Sequence, residues 1–192
     1  MKELFLASSS LARIKLFEQL KIPFRVDKSE VDETPLPYEK GPELVKRLSQ
    51  AKAEACLKKH PDALCLGADT VAWLDDKILG KPTTSDQAKE MLQALSGRQH
   101  IMLTGISLVT QKCGEWALGH TLVTFRELSD REIEDYIGKG EWLGRAAGYA
   151  IQEGIDFLVK IEGSRTNVIG LPMELLCEKL RIFGIDCSYC EE

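Results

Sequence analysis

The chain has 192 residues, 44% of them hydrophobic and 29% charged, with a formal net charge of −5. This is enough for one compact domain that buries roughly 70% of its unfolded surface without disulfide or metal staples. An acidic chain with no basic run is ill-suited to gripping a nucleic-acid polymer, whose affinity comes from phosphate neutralisation; a small anion needs only local positive charge.

The N-terminal "MKELFLASSS" holds a four-residue apolar stretch and no later run is long enough to span a bilayer. Neither a signal segment nor a membrane span is therefore expected, and the chain is expected in the cytoplasm. "ELFLA" reads as a short buried strand. "LARIKLFEQL" follows as a helix with Leu11, Ile14, Leu16, Phe17 and Leu20 on its apolar face. Between them, Ser8, Ser9 and Ser10 form a turn at the helix N-terminus, where unpaired N–H groups and hydroxyls can seat an anion. Arg13, one turn in, could add a bidentate phosphate contact; the plain alternative is that Ser10 caps the helix and Arg13 is solvated.

"PFRVD" is strand-like and leads into "SEVDET", which carries Glu30, Asp32 and Glu33. Loop acids are commonly just solvated, but they are also the oxygen ligands that Mg²⁺ or Mn²⁺ takes beside substrate phosphates. After the connector "TPLPYEKGP", residues 43–59 have helical spacing, with Lys52 beside the Ala-rich face in the manner of a snorkelling lysine.

"ALCLGADTVAWLDDKILGKP" reads as a hairpin that delivers Asp69 at the end of one apolar run and Lys81 just past the returning one. Asp69 could act as a base toward water if a divalent cation assists. Arg13, Lys52 and Lys81 could then offset charge on a leaving phosphate.

A helix is expected over 85–95 behind a Thr84–Gln87 capping box, then strands over 100–111 and 115–127. A further helix runs from the box Ser129–Glu132 to about Ile137. "GYAIQ" and "DFLVKIEG" read as strands, and Gly170-Leu-Pro172 opens a last helix to Phe183, with Pro172 in its first turn. In "GYAIQEG", the Gln152 carboxamide could read a base edge or simply sit in a turn.

The six cysteines are scattered, which fits reduced thiols, and Cys187-Ser-Tyr-Cys190 lacks a second ligand pair. His60, His100 and His120 show no metal-ligand spacing, and each reads as a surface or packing residue. No glycine-rich phosphate or dinucleotide fingerprint is present. The mixture of hairpins with alternating helices predicts a mixed α/β sheet, with residues 105–144 able to form a partly separate lobe and a groove between the halves.

Taken in order, "LASSSLARIKLF", "VDET", "VKRLSQAKA", "LGADTV", "LGKP", "LSGRQH", "VTFRELSDREIEDYI", "AGYAIQEG" and "NVIGLP" cover nearly the whole chain. The set resembles the Maf family of nucleoside triphosphate pyrophosphatases. The resemblance implies a single Maf-like domain over 1–192. Its fold would be two-lobed mixed α/β with a central substrate groove, of the inosine triphosphatase-like kind. It also implies a homodimer, a nucleoside triphosphate substrate and a divalent cation, Mg²⁺ or Mn²⁺, used to cleave the α–β phosphoanhydride.

By the same resemblance, Asp69 matches the proton acceptor and Glu33 the acid tied to metal and catalysis, so that Glu33 and Asp69 would hold the cation. Ser8, Arg13, Lys52 and Lys81 match phosphate-side residues, with Ser10 in the same turn. Thr70 and Gln152 match base-selecting positions of the dTTP/UTP-preferring branch, and the 7-methyl-GTP branch differs at both. One departure stands out: the family's usual "SPRR" reads "SLAR", so Ala12 replaces the third specificity residue.

Overall fold

A computed structural model of the chain describes residues 2–28, 30–151, 156–187 and 189. The element order is β1 (Leu4–Ala7), α1 (Leu11–Glu18), β2 (Arg25–Asp27), α2 (Gly41–Lys59), β3 (Leu64–Leu74), β4 (Lys77–Leu79) and α3 (Ser85–Leu95). It continues with β5 (Gln99–Val109), β6 (Gly114–Phe125), α4 (Asp130–Lys139), β7 (Leu158–Glu162), α5 (Arg165–Ile169) and α6 (Met173–Ile182).

The strands form one mixed sheet in the order β2-β1-β3-β5-β6-β7, with β4 hydrogen-bonded to β3. β1 runs parallel to β2 and β3, whereas β3, β5, β6 and β7 are successively antiparallel. β3 and β4 meet through Asp75 and Asp76, both at positive φ (48° and 61°). That left-handed pair matches the strand twist in a two-residue hairpin.

Period-2 alternation sorts the core. On one face, α2 packs Leu44, Val45 and Leu48 on Val71 and Leu103. The opposite face carries two apolar clusters. One joins Leu64, Leu66 and Ala68 to α1 and α6; the other joins Ala72, Leu74 and Met102 to α3 and α4. Between them lies a row of small and polar residues in register across the sheet, Thr70↔Thr104↔Gly119. This seam separates the two clusters.

Four local expectations are corrected. Leu11 is not on the buried face of α1 but 73% exposed, because the helix turns Arg13 inward with Leu16 and Phe17. The Gln87 carboxamide bonds Thr83 instead of closing the box on Thr84, whose hydroxyl still accepts from Gln87 N–H. "GYAIQ" is no strand where it is described: residues 146–148 form a short 3-10 turn with Ala147 and Gly148 at positive φ, and Tyr149 and Ala150 follow irregularly. Pro172 stands at the N-cap of α6 rather than inside its first turn.

Candidate active site

β3 is flanked by β5 along one edge for nearly its whole length. Its other edge is shared. β1 pairs with Leu64 to Gly67, and β4 with Ala72 to Leu74. Residues 68–71 fall in the gap, where the chain beyond β1 turns away through the serines into α1. Ligands in α/β sheets commonly sit outside strand ends where neighbouring connections diverge. A cavity of about 470 Å³ opens here, lined by Ser8, Ser10, Ala12, Arg13, Glu33, Lys52, Thr70 and Lys81, with residues 143–146 and Tyr149 on its far side. Asp69 lies behind this lining, held by Lys52.

Asp69 and Thr70 are neighbours in sequence and face opposite ways. Asp69 turns toward α2, which lies unusually close to the sheet. A Cβ on Gly67 would fall 2.0 Å from the Ser49 carbonyl oxygen, and one on Gly105 2.4 Å from that of Val45. No side chain fits at either position without moving the helix. The closeness brings the Lys52 ammonium fully under cover, 4% exposed, rather than snorkelling. Its Nζ donates to Asp69 Oδ1 at 2.6 Å and meets Glu33 Oε1 at 2.7 Å. Glu33 Oε2 in turn accepts from Lys81 Nζ at 3.2 Å. Asp69 and Lys81 therefore belong to one alternating chain of charges, with Lys52 and Glu33 between them. Desolvation works to raise the Glu33 carboxyl, but Lys52 and then Lys81 outweigh it and hold the group at about 2.

Thr70 turns to the seam. The Arg13 guanidinium is neither solvated nor open as a whole fork: Nε donates to the Gly170 carbonyl at 2.7 Å and Nη2 to Thr70 Oγ1 at 2.9 Å. Burial pulls its pKa down, while the charges of Asp69 and Glu33 oppose that shift. Thr70 and Thr104 share a bond of 2.9 Å, and the Thr104 hydroxyl donates to the Asn167 carbonyl at 3.0 Å. A hydroxyl has one proton, and Thr104 gives its own to Asn167. The 2.9 Å bond therefore has Thr70 donating to Thr104, with the Gly170 carbonyl a longer acceptor at 3.4 Å, and the Thr70 oxygen accepts from Arg13. The relay runs one way, from Arg13 through two threonines to α5. Asn167 anchors its end, with Nδ2 donating to the Met102 carbonyl and Thr121 Oγ1, both at 3.0 Å.

Ser10 caps α1, its hydroxyl accepting from Arg13 N–H at 3.4 Å, and Ser8 Oγ accepts from Ser10 N–H at 3.2 Å. Gln152 lies outside the described residues. The sequence reading missed Thr104, Asn167 and Gly170 as parts of the site. Thr104 was detectable as a polar residue inside the apolar run of β5, and Asn167 and Gly170 sat in a quoted motif to which no local role was attached. Across the cavity, Ala147 N–H donates to the Gly80 carbonyl at 2.8 Å, tying the far wall to the segment that carries Lys81. His100 Nε2 meets the Tyr149 hydroxyl at 2.7 Å, and burial holds that imidazole at about 4.

A family model described as Maf-like protein matches residues 3–183. A dTTP/UTP pyrophosphatase of Bacillus cereus (strain G9842) is 40% identical over 190 residues, covering 98% of this chain and 100% of the relative. A protein of the same name from Syntrophus aciditrophicus (strain SB) is 42% identical, covering 95% of this chain and 91% of the relative. The solved structure of the Staphylococcus aureus Ham1 protein superposes with a TM-score of 0.46 at 18% identity, over 67% of this chain and 73% of that one.

Proposed function

The chain belongs to the Maf-like protein family, and on that premise we propose that it hydrolyses the α–β phosphoanhydride of dTTP, UTP or modified pyrimidine nucleotides to the monophosphate and pyrophosphate. One observation carries the reading from geometry: a buried ammonium, Lys52, gathers two carboxylates, Asp69 and Glu33, beside a cavity that Arg13 and Lys81 also line. A pure nucleotide binder has little use for carboxylates facing a polyanion. A hydrolase needs one to accept a proton from water.

In this mechanism Asp69 is the proton acceptor. Lys81 and Arg13 offset charge that moves toward the leaving phosphates, and Arg13 does so with its plane already fixed by Gly170 and Thr70. Ser8 and Ser10 shape the phosphate end of the cavity. Glu33 and Asp69 are hard oxygen donors that converge on a single positive centre, the arrangement a divalent cation such as Mg²⁺ or Mn²⁺ would use. When bound, that cation would supply charge against the triphosphate and make attacking water more acidic.

Base selection falls to Thr70 and Gln152 by family resemblance, and Ala12 leaves space where the family's arginine would project. The Thr70 hydroxyl is engaged with Arg13 and Thr104, which supports an indirect role through the placing of Arg13. We read the working form as a cytoplasmic homodimer on the family resemblance; no helix among the described residues is long and apolar enough to cross a membrane.

The test is pyrophosphate release from dTTP, UTP, 5-methyl-UTP, CTP, GTP and 7-methyl-GTP with Mg²⁺ or Mn²⁺. Release led by dTTP and UTP is the expected result. Release led by 7-methyl-GTP would overturn the pyrimidine assignment, and nucleotide binding without release under either metal would overturn the enzyme.

A further inference from the structure

One turn beyond Lys52, α2 presents Cys56 on the same stripe and ends at His60, its C-cap. Asp27, the last residue of β2, meets His60 and lies near Cys56. Single donor atoms of Asp27, Cys56 and His60 all lie within 4.8 Å of one another. We propose that these three residues form a second cation site, separate from the cavity, for a thiophilic divalent metal of the zinc class.

The donor set argues for that class. An imidazole, a carboxylate and a sulfur together suit Zn²⁺ and its thiophilic relatives, whereas Mg²⁺ takes oxygen. The carboxylate–imidazole spacing is close to what such an ion needs, and the sulfur lies within 4.8 Å of both. With Zn–N and Zn–O near 2.0 Å and Zn–S near 2.3 Å, a tetrahedral site separates its oxygen and nitrogen ligands by about 3.3 Å and either from sulfur by about 3.6 Å. Asp27 Oδ2 and His60 Nε2 stand 2.9 Å apart, so the ion would push them apart only slightly.

The surroundings are pre-set. The His60 ring is stacked on Phe5 at a centroid distance of 3.9 Å, which fixes its plane. Lys59 Nζ holds the other carboxylate oxygen, Asp27 Oδ1, at 2.8 Å and leaves Oδ2 turned to His60. A hydrogen bond to the second oxygen of a ligating carboxylate is the usual outer support of such a site. The negative end of the α2 dipole also favours a cation at this end of the helix. Cys56 is fully buried and His60 half-buried, so the ion would enter past the imidazole.

Binding has a proton balance. The Cys56 thiol is pushed up by its contact with Cys65 on β3, by burial and by Asp27, while Lys59 opposes this. The metal-free thiol therefore keeps its proton, and forming a metal–sulfur bond must release it to solvent. Affinity should rise with pH. The charged groups that set this dependence are Asp27 from β2, Lys59 and His60 from the end of α2, and Glu30, whose charge reaches Lys59.

The experiment uses the full chain, reduced and stripped of metal, titrated with Zn²⁺ against a chromophoric chelator and with Co²⁺ by absorption. With the cavity's own cation donors weakened by Glu33→Gln, the expected result is one Zn²⁺ bound per chain and a cobalt–thiolate charge-transfer band. His60→Ala, at a half-buried position that should not disturb the core, is expected to weaken Zn²⁺ binding by about tenfold or more. Cys56→Ser should abolish the band, and Glu33→Gln, which alters only the cavity, should keep it. Absence of the band, its survival in Cys56→Ser, or unchanged Zn²⁺ affinity in His60→Ala would each overturn the proposal. Because the readout is metal binding rather than turnover, failure here would leave the hydrolase reading untouched.

Discussion

Asp69 and Thr70 are adjacent, yet they serve faces of the sheet built on different principles. Asp69 looks onto the α2 face, where one helix lies almost backbone to backbone on Gly67 and Gly105 and a buried lysine ties two carboxylates. Thr70 looks onto the seam between two apolar clusters, where hydrogen bonds lead from the Arg13 guanidinium through two threonines to α5. The first face gathers charge and the second fixes geometry. A pleated strand crossing a groove provides both from consecutive residues.

The division is open to test by perturbations that strike one face at a time. The largest effect is expected from Asp69→Asn. It removes the base without changing shape, and turnover should fall on the order of 10²–10⁴-fold with the fold retained by circular dichroism. Retained turnover would remove Asp69 from the chemistry.

Next is pH, which separates the faces by window. His100, on the seam face, is held at about 4 against an ordinary 6.5, so the unfolded chain binds the extra proton between these values. Stability should therefore fall as pH drops from 6.5 toward 4, by about 3 kcal/mol in all. Glu33, on the charged face, is held at about 2 against an ordinary 4.5, so its share is present above 4.5 and lost as pH falls toward 2. Urea unfolding across pH 7 to 4.5 should show the first slope, and His100→Gln should abolish it.

Gly67→Ala comes third. The added methyl must push α2 off the sheet, costing about 1–3 kcal/mol of stability, and turnover should drop because Lys52 moves with the helix. A stable and fully active variant would show that the close approach is not needed. Thr104→Val is expected to be milder: it breaks the relay, strands buried polar groups and lowers kcat/KM about tenfold. Thr104→Ser should restore it, and in an Arg13→Lys background the same change should cost much less if the relay acts through Arg13. Smallest is Ala12→Arg, which should raise the preference for dTTP or UTP a few-fold over other nucleotides, read as a ratio of kcat/KM values.

The charged face was the more legible of the two in sequence. Asp69 and Lys81 flank apolar runs and Glu33 lies in a short acidic loop, and charge in such places draws attention. Asp69 nevertheless stands midway along an unbroken β3 rather than at a strand end, and Lys52, mid-helix in α2, read only as a snorkelling lysine. What spacing could not supply was connectivity: Asp69 and Lys81 look like partners along the hairpin, but Glu33, from a distant loop, stands between them. The seam was harder. Thr104 and Asn167 are uncharged, and their importance lies in which way each proton points, a property only the folded register creates. Local rules worked where the determinants were local, as in the Ser129–Glu132 box of α4. They failed at Leu11, where α1 buries an arginine because a tertiary carbonyl at Gly170 receives it, and at the start of "GYAIQ", where Gly148 sits at positive φ and donates to the Arg145 carbonyl within a short turn.

The two glycines under α2 also constrain how the cavity can move. A helix seated backbone on backbone can neither roll nor slide without lifting away, so α2 and β3 act as the stationary jaw of a vice. The far wall of the cavity is joined to this fixed side as well, through the Ala147 N–H and the Gly80 carbonyl just past β4. Amide exchange should accordingly be slow along α2, and nucleotide should leave it as it was.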